Sequence, residues 1–241
     1  MKWLLASDLD GTLLGDEAMT RAFAARMHPS RDKLLLAYVT GRHLSAALEV
    51  IQSAGLPLPD ALIPCLGASI HLAPDWERLS SWDLRLSQNW SSLKVQAIAA
   101  CFPSLVLQPP ENQNDFKCSF TLSPDRAETV LPALEAHLRQ EGANARIVYS
   151  SGRDLDIIPR HGGKGHAVRF LAEQFDLPLS QVCTFGDSGN DRDMLSLGCH
   201  AAVVANAQSE LDQGLPEQVY RARASYAAGV IEALDHFGCL I

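Results

Sequence analysis

At 241 residues with 47% apolar side chains, the chain is long enough for one large domain or two, each with its own core. A formal net charge of −8 excludes the Lys/Arg excess with which nucleic-acid phosphates are met, although a local cationic site can still take a small anion. The six cysteines show no CxxC or CxH spacing, no run reaches the ~18 apolar residues of a membrane span, and the N-terminal run breaks at Asp8, so a cytoplasmic protein with no signal peptide and no membrane or nucleic-acid partner is expected.

The first apolar run, Trp3–Ala6, reads as a buried strand. It ends in Asp8, Asp10, Gly11 and Thr12. Buried carboxylates are costly unless they are paired, hold a metal or do chemistry, and in parallel sheets ligands gather at the carboxyl ends of strands. A carboxylate can attack phosphorus and divide one hard displacement into two easier ones. A divalent cation then offsets the repulsion between the two anions, and a second acid must protonate the leaving oxygen and later activate a water. On this reading Asp8 is nucleophile and metal ligand, and Asp10 is the acid/base. Asp, Gly and Thr are also ordinary turn formers; that alternative loses ground only to three further motifs along the chain.

Asp16–Met27 has helical spacing, and Leu34–Val39 is a second continuous apolar run, expected as a central parallel strand. It leads into Thr40-Gly41-Arg42 at the start of an expected helix, His43–Ala54, where a hydroxyl and backbone amides make a phosphate-sized donor cluster. Taken alone, Thr40 would be an N-cap. Asp60–Leu66, ending at Gly67, is a third strand, and the alternation indicates a doubly wound α/β core. From about Asp75 to Gly152 the chain becomes richer in Trp, Ser, Gln and Asn. Its strands, Phe116–Leu122 and Ala145–Ser150, alternate apolar and polar residues as a half-open antiparallel sheet does, and Gln88–Phe102 and Asp125–Gln140 have helical spacing. This segment is expected to be an inserted domain with short hinges near Asp75–Ser81 and Gly152–Pro159.

The core pattern resumes at Arg153–Pro159. Lys164 then stands among Gly162, Gly163 and Gly165 at the start of a helix running to about Asp176, where amides, helix dipole and ammonium all favour a phosphate. The next strand, Val182–Gly186, ends in Asp187-Ser188-Gly189-Asn190-Asp191. Oxygen donors so close together suit Mg²⁺. Asp187 is expected as a direct ligand, with Asp191 holding the metal or Lys164. His200–Ala205 and Tyr226–Phe237 close the chain as strand and helix.

The motifs DLDGT, TGR, GGKG and GDSGND, in this order, resemble those of the haloacid-dehalogenase-like phosphatase superfamily. The resemblance implies an α/β fold: a Rossmann-like parallel-sheet core over 1–78 and 157–241, with a smaller inserted α+β cap of type II over 79–156. It implies Mg²⁺-dependent aspartyl-phosphate chemistry, with Asp8 and Asp10 catalytic, Thr40, Gly41, Arg42, Lys164 and Asn190 on the phosphate or substrate, and Asp8, Asp10, Asp187 and Asp191 at the metal. Phe116-Lys117-Cys118-Ser119-Phe120, Tyr149–Pro159 and Asn206–Leu211 are further similar to the sucrose-phosphate phosphatase family, and in part to mannosylfructose-phosphate phosphatases. This implies a disaccharide phosphate as substrate, with Lys117 and Arg153 reading the sugar and Asn112, Gln113 and Asn114 as further polar candidates. A monomer able to contact the sugar-phosphate synthase is expected. The competing readings are a non-catalytic sugar-phosphate-binding partner of that synthase and a mutase. The first is disfavoured by the intact Asp8, Asp10, Lys164 and Asp187; the second would need the bound sugar, not water, to accept the phosphoryl group.

Overall fold

The computed structural model describes residues 2–212 and 214–239. In chain order the elements are β1 (Trp3–Ser7), α1 (Glu17–Met27), β2 (Leu34–Val39), α2 (Leu44–Ser53), β3 (Ala61–Ile63), β4 (His71–Leu72), β5 (Glu77–Arg78), α3 (Ser80–Leu86), α4 (Ser92–Ala99) and β6 (Val106–Leu107). Then come β7 (Cys118–Thr121), α5 (Pro124–Gln140), β8 (Ala145–Ser150), β9 (Asp154–Pro159), α6 (Lys164–Gln174), β10 (Val182–Gly186), α7 (Arg192–Leu195), β11 (His200–Val203), β12 (Tyr220–Arg221) and α8 (Tyr226–Phe237).

An eight-stranded sheet runs in the order β12-β11-β10-β1-β2-β3-β4-β5. It is parallel from β12 to β3 and antiparallel through the short β4–β5 hairpin. Its central strands are apolar throughout because both faces are covered. Leu5, Leu36 and Tyr38 pack with Phe23 and Met27 of α1, Ala47 and Ile51 of α2 and Val230 of α8. The alternate residues Leu4, Ala6, Leu35, Ala37 and Val39 pack with Trp82 and Leu86 of α3 and Val168 and Leu171 of α6. The period of two along each strand sorts these side chains between the layers.

A second, antiparallel sheet has the order β6-β7-β9-β8. Here one face is apolar: Cys118, Phe120, Leu155 and Ile157 pack on Val95 and Ile98 of α4 and Leu134 and Leu138 of α5. On the other face Ser119 stands in register with Asp156. The alternation read in this segment is therefore the division between a core and a polar wall.

The packing crosses between the sheets at different points from the expected 78/79 and 156/157. Helix α3 belongs to the large sheet, with Trp82 fully buried and its indole N–H donating to the Gly67 carbonyl at 2.9 Å. Strand β9 stays paired with β7 through Ile157 and with β8 through Pro159. The crossings thus fall at 87–91 and 160–163, and the second is later than the hinge expected at Gly152–Pro159. The six cysteines are free thiols, and no helix among the described residues is long and apolar enough to cross a membrane.

Candidate active site

Strands β10, β1 and β2 are neighbours, so the loops after Gly186, Ser7 and Val39 emerge side by side at their carboxyl ends. The start of α6 reaches the same place, carrying Lys164. The Lys164 ammonium is 1% exposed and donates to Asp8 Oδ1 at 2.7 Å and to Asp191 Oδ1 at 2.6 Å. Asp191 uses its other oxygen to accept from the backbone N–H groups of Asp187, at 3.0 Å, and Ser188, at 3.1 Å. Its carboxylate therefore folds the Asp187–Asp191 loop back on itself as a capping box.

Gly11 explains why the DLDGT run needs glycine. Its φ is +80°, and a Cβ there would lie 2.4 Å from Asp187 Oδ2. Thr12 donates to Asp187 Oδ1 at 3.3 Å, and Asn206 donates to the Gly11 carbonyl at 2.7 Å. One carboxylate oxygen from each of Asp8, Asp187 and Asp191 can come within 4.8 Å of the others. The Asp10 carboxylate is not in this group. It is half exposed and gripped in bidentate fashion by Arg42, at 2.7 Å to each oxygen.

Burial pushes the Asp8 carboxyl well above the usual carboxylate range; Lys164 pulls it back, while Asp191 and Asp187 push it further. Asp187 is likewise raised, to about 7, by burial and by Asp191. Burial opposes the Lys164 charge, but Asp191 and Asp8 outweigh it and hold the ammonium above its ordinary value. The hydrogen bond to Asp10 raises Arg42. An all-oxygen group of three buried carboxylates facing one ammonium is what a hard divalent cation fits.

Above these residues a cleft of about 550 Å³ opens between the two sheets. Of the residues singled out in the sequence, Asp8, Asp10, Gly41, Arg42, Asn112, Lys117, Arg153, Asp187 and Asn190 line it. Thr40, Lys164 and Asp191 lie behind that wall. Thr40 is fully buried, and its hydroxyl accepts from the Arg42 N–H at 3.1 Å, while the side chain of His43 caps α2. Lys117 is buried and donates to Ser119 Oγ at 2.6 Å and Asp156 Oδ1 at 3.2 Å. Arg153 is largely exposed and paired with Asp154 at 3.1 Å. Gln113 and Asn114 fasten their own loop, Gln113 Nε2 donating to the carbonyls of Gln108 and Ser119 and Asn114 Oδ1 accepting from the Phe116 N–H.

Gln108, Ser150, Ser151, Asp154, Asp156, Ser188, Gln208 and Leu66 also line the cleft, although the sequence gives none of them a role of its own. The sequence does carry a signal for Asp154 and Asp156: they alternate with the apolar Leu155 and Ile157 along β9. Gln108 carries no such periodic signal.

The family model described as sucrose-6F-phosphate phosphohydrolase matches residues 1–238. The chain belongs to the sucrose-6F-phosphate phosphohydrolase family. It is 34% identical to the mannosylfructose-phosphate phosphatase of Agrobacterium fabrum over 98% of this chain and 96% of that one. It is 31% identical to sucrose-phosphatase 1 of Nicotiana tabacum over 97% of this chain, but spans only 59% of that longer protein. The solved sucrose-phosphatase of Synechocystis sp. PCC6803, in complex with sucrose and phosphate, superposes with a TM-score of 0.94 at 34% identity, covering 99% of both chains. Members of this family are phosphatases of haloacid-dehalogenase-like α/β fold, and this chain is a phosphoric monoester hydrolase.

Proposed function

We propose that the chain removes phosphate from a disaccharide phosphate, sucrose 6-phosphate foremost, through an aspartyl-phosphate on Asp8. The observation that carries the reading is Asp8 itself. It is a buried carboxylate at a strand end, held by Lys164 beside Asp187 and Asp191, beneath a polar cleft whose opposite wall is a separate sheet. A cleft of about 550 Å³ falls in the usual range of small-molecule sites.

In the first step an Asp8 oxygen attacks phosphorus, the bond from phosphorus to the sugar oxygen breaks, and a proton from the Asp10 carboxyl goes to that oxygen. In the second a water attacks phosphorus, its proton goes to Asp10, and the bond to Asp8 breaks to free phosphate. Arg42 orients Asp10 at the cleft mouth. Asp8, Asp187 and Asp191 would hold Mg²⁺, which when bound would neutralise charge between carboxylate and phosphate. The 88–159 segment acts as a cap that excludes water and reads the sugar.

A second reading, a mannosylfructose-phosphate phosphatase, is favoured by the likeness to the Agrobacterium enzyme along nearly its whole length. Phosphate release from sucrose 6-phosphate, mannosylfructose 6-phosphate, glucose 6-phosphate and trehalose 6-phosphate decides between them. Sucrose 6-phosphate is expected to lead in kcat/KM, and a lead by a monosaccharide phosphate would overturn the disaccharide assignment. Asp8→Asn is expected to abolish turnover with the fold retained; substantial activity in that variant would sink the covalent route.

A further inference from the structure

The turn after β3 brings left-handed backbone to the cleft. Cys65, Leu66 and Gly67 have φ of 52°, 59° and 84°. Left-handed backbone is unremarkable for glycine but sterically costly for a leucine, whose Cβ crowds the following carbonyl. Glycine or asparagine would sit at position 66 with less strain. Such a conformation persists only where its surroundings over-determine it, and such places cluster at functional sites.

The surroundings do over-determine it. The Cys65 N–H donates to the Arg42 carbonyl and the Leu66 N–H to the Thr40 carbonyl, each at 2.9 Å, so the strained turn grips both ends of the Thr40–Arg42 loop. A Cβ at Gly67 would lie 2.5 Å from the Gly163 carbonyl oxygen, so the turn is also seated on the backbone just before Lys164.

The side chain that this geometry presents is out of place chemically. Leu66 is only 4% exposed, yet it joins none of the apolar clusters, although Cys65 and Ala68 on either side do. It is the one leucine, and the one apolar side chain, among the described residues that line the cleft. Its Cδ2 would be 3.6 Å from a Cβ at Gly41, which places it over the Thr40–Arg42 loop, in the cleft that Asp8 and Asp10 also line.

We propose that Leu66 is a specificity-determining residue: an apolar platform for the C–H face of the sugar ring that carries the phosphate, held there by the strained turn. The proposal rests on the sugar-phosphate reading above. The other side chains that line the cleft end in groups that hydrogen-bond hydroxyls. A ring also has a face of C–H groups, for which Leu66 is the apolar side chain at hand among the described lining residues.

The test uses Leu66→Asn, which tolerates left-handed backbone, and Leu66→Met, which keeps an apolar side chain. Each is assayed on the leading sugar phosphate and on acetyl phosphate, which has no ring. Loss of an apolar contact to the substrate is worth about 10-fold or more in discrimination. Leu66→Asn is therefore expected to lower kcat/KM for the sugar phosphate about 10-fold further than for acetyl phosphate. Leu66→Met is expected to restore the selectivity. Equal losses on both substrates would mean that Leu66 acts only through the Thr40–Arg42 loop, and would overturn the proposal. So would unchanged selectivity in Leu66→Asn. Wild-type turnover of sugar phosphates tests the underlying function separately; a wild type that hydrolyses acetyl phosphate but no sugar phosphate overturns both.

Discussion

Lys164 has almost no contact with water and touches two carboxylates, with Asp187 close by. Removing one partner of a buried ion pair leaves uncompensated charge and typically costs about 3–5 kcal/mol. In a chain of this size each kcal/mol moves the unfolding temperature by roughly 2–4 °C. Lys164→Met is therefore expected to lower the unfolding temperature of the metal-free protein by about 6–20 °C, with part of the loss restored by Mg²⁺. Calorimetry with and without the ion checks this; a Lys164→Met variant as stable as the wild type would mean that the carboxylates are not held ionised by Lys164.

The same cluster sets a pH dependence. Asp187 is raised to about 7 by burial and by Asp191, against an unfolded value near 4. The folded state thus binds this proton more tightly than the unfolded one. Stability from this group is present at low pH and is lost as pH rises from about 4 to about 7. Asp8, raised by burial, acts in the same direction. A cation must displace those protons, so the rise in unfolding temperature produced by Mg²⁺ is expected to grow between about pH 6 and 8, roughly one unit either side of the raised group. A Mg²⁺ effect that is flat across that range would contradict the assignment of these carboxylates to the metal.

At the scale of elements, the strands buried on both faces, Leu34–Val39 and Val182–Gly186, stand where their continuous apolar runs put them, and the alternating strand Ala145–Ser150 and helix α8 also stand where their patterns put them. Asp60–Leu66 shrinks to Ala61–Ile63 because Pro64 and the left-handed turn at 65–67 end the pairing, and nothing in an apolar run announces such a turn. Helix α3 was not legible because it has only seven residues; Trp82 and Leu86, four apart, are its whole apolar stripe. In the site, the residues that carry charge at strand ends were readable. Their partners were not, because Asp156 meets Lys117 and Arg42 meets Asp10 across the fold, at sequence separations of 39 and 32.

The Lys117–Asp156 pair changes what a substitution there should do. Both are buried, and Ser119 donates to the same Asp156 oxygen at 2.5 Å. Lys117→Met leaves Asp156 without its cation, so a loss of about 3–5 kcal/mol in stability is expected beside any loss of sugar recognition. The double variant Lys117→Met, Asp156→Asn removes the stranded charge. It is expected to recover most of the stability while remaining impaired on the disaccharide phosphate relative to acetyl phosphate. A double variant that recovered both would reduce the pair to a structural fastening of β7 to β9.

At the scale of the whole molecule, the cap segment seats Phe116 in the core of the large sheet, and polar contacts among the described residues join the two halves beside the cleft. Arg146 of β8 pairs with Asp193 of α7, and Gln208 Nε2 donates to Ser151 Oγ at 3.1 Å in the β8–β9 turn. Glu210 is placed differently from either. Its Oε1 accepts from the Ser151 N–H in that turn, at 3.2 Å, and also from the Gly189 N–H in the loop that carries Asp187 and Asp191. One carboxylate oxygen therefore joins the cap to the loop of the carboxylate cluster. Hydrogen bonds to a charged group are worth about 1.5–3 kcal/mol, or about one to two decades in kcat/KM if they are needed in the transition state. Glu210→Ala is expected to lose that much on sugar phosphate and on acetyl phosphate alike, because the loop is released together with the cap. Gln208→Ala, whose backbone N–H still holds the Asp187 carbonyl, is expected to lose only on the sugar phosphate. Hydrogen exchange separates the causes: Glu210→Ala should speed exchange at both Ser151 and Gly189, and Gln208→Ala at Ser151 alone. If Gly189 stays protected in Glu210→Ala, cap and loop are not coupled through this residue, and closure must reach the carboxylates by another path.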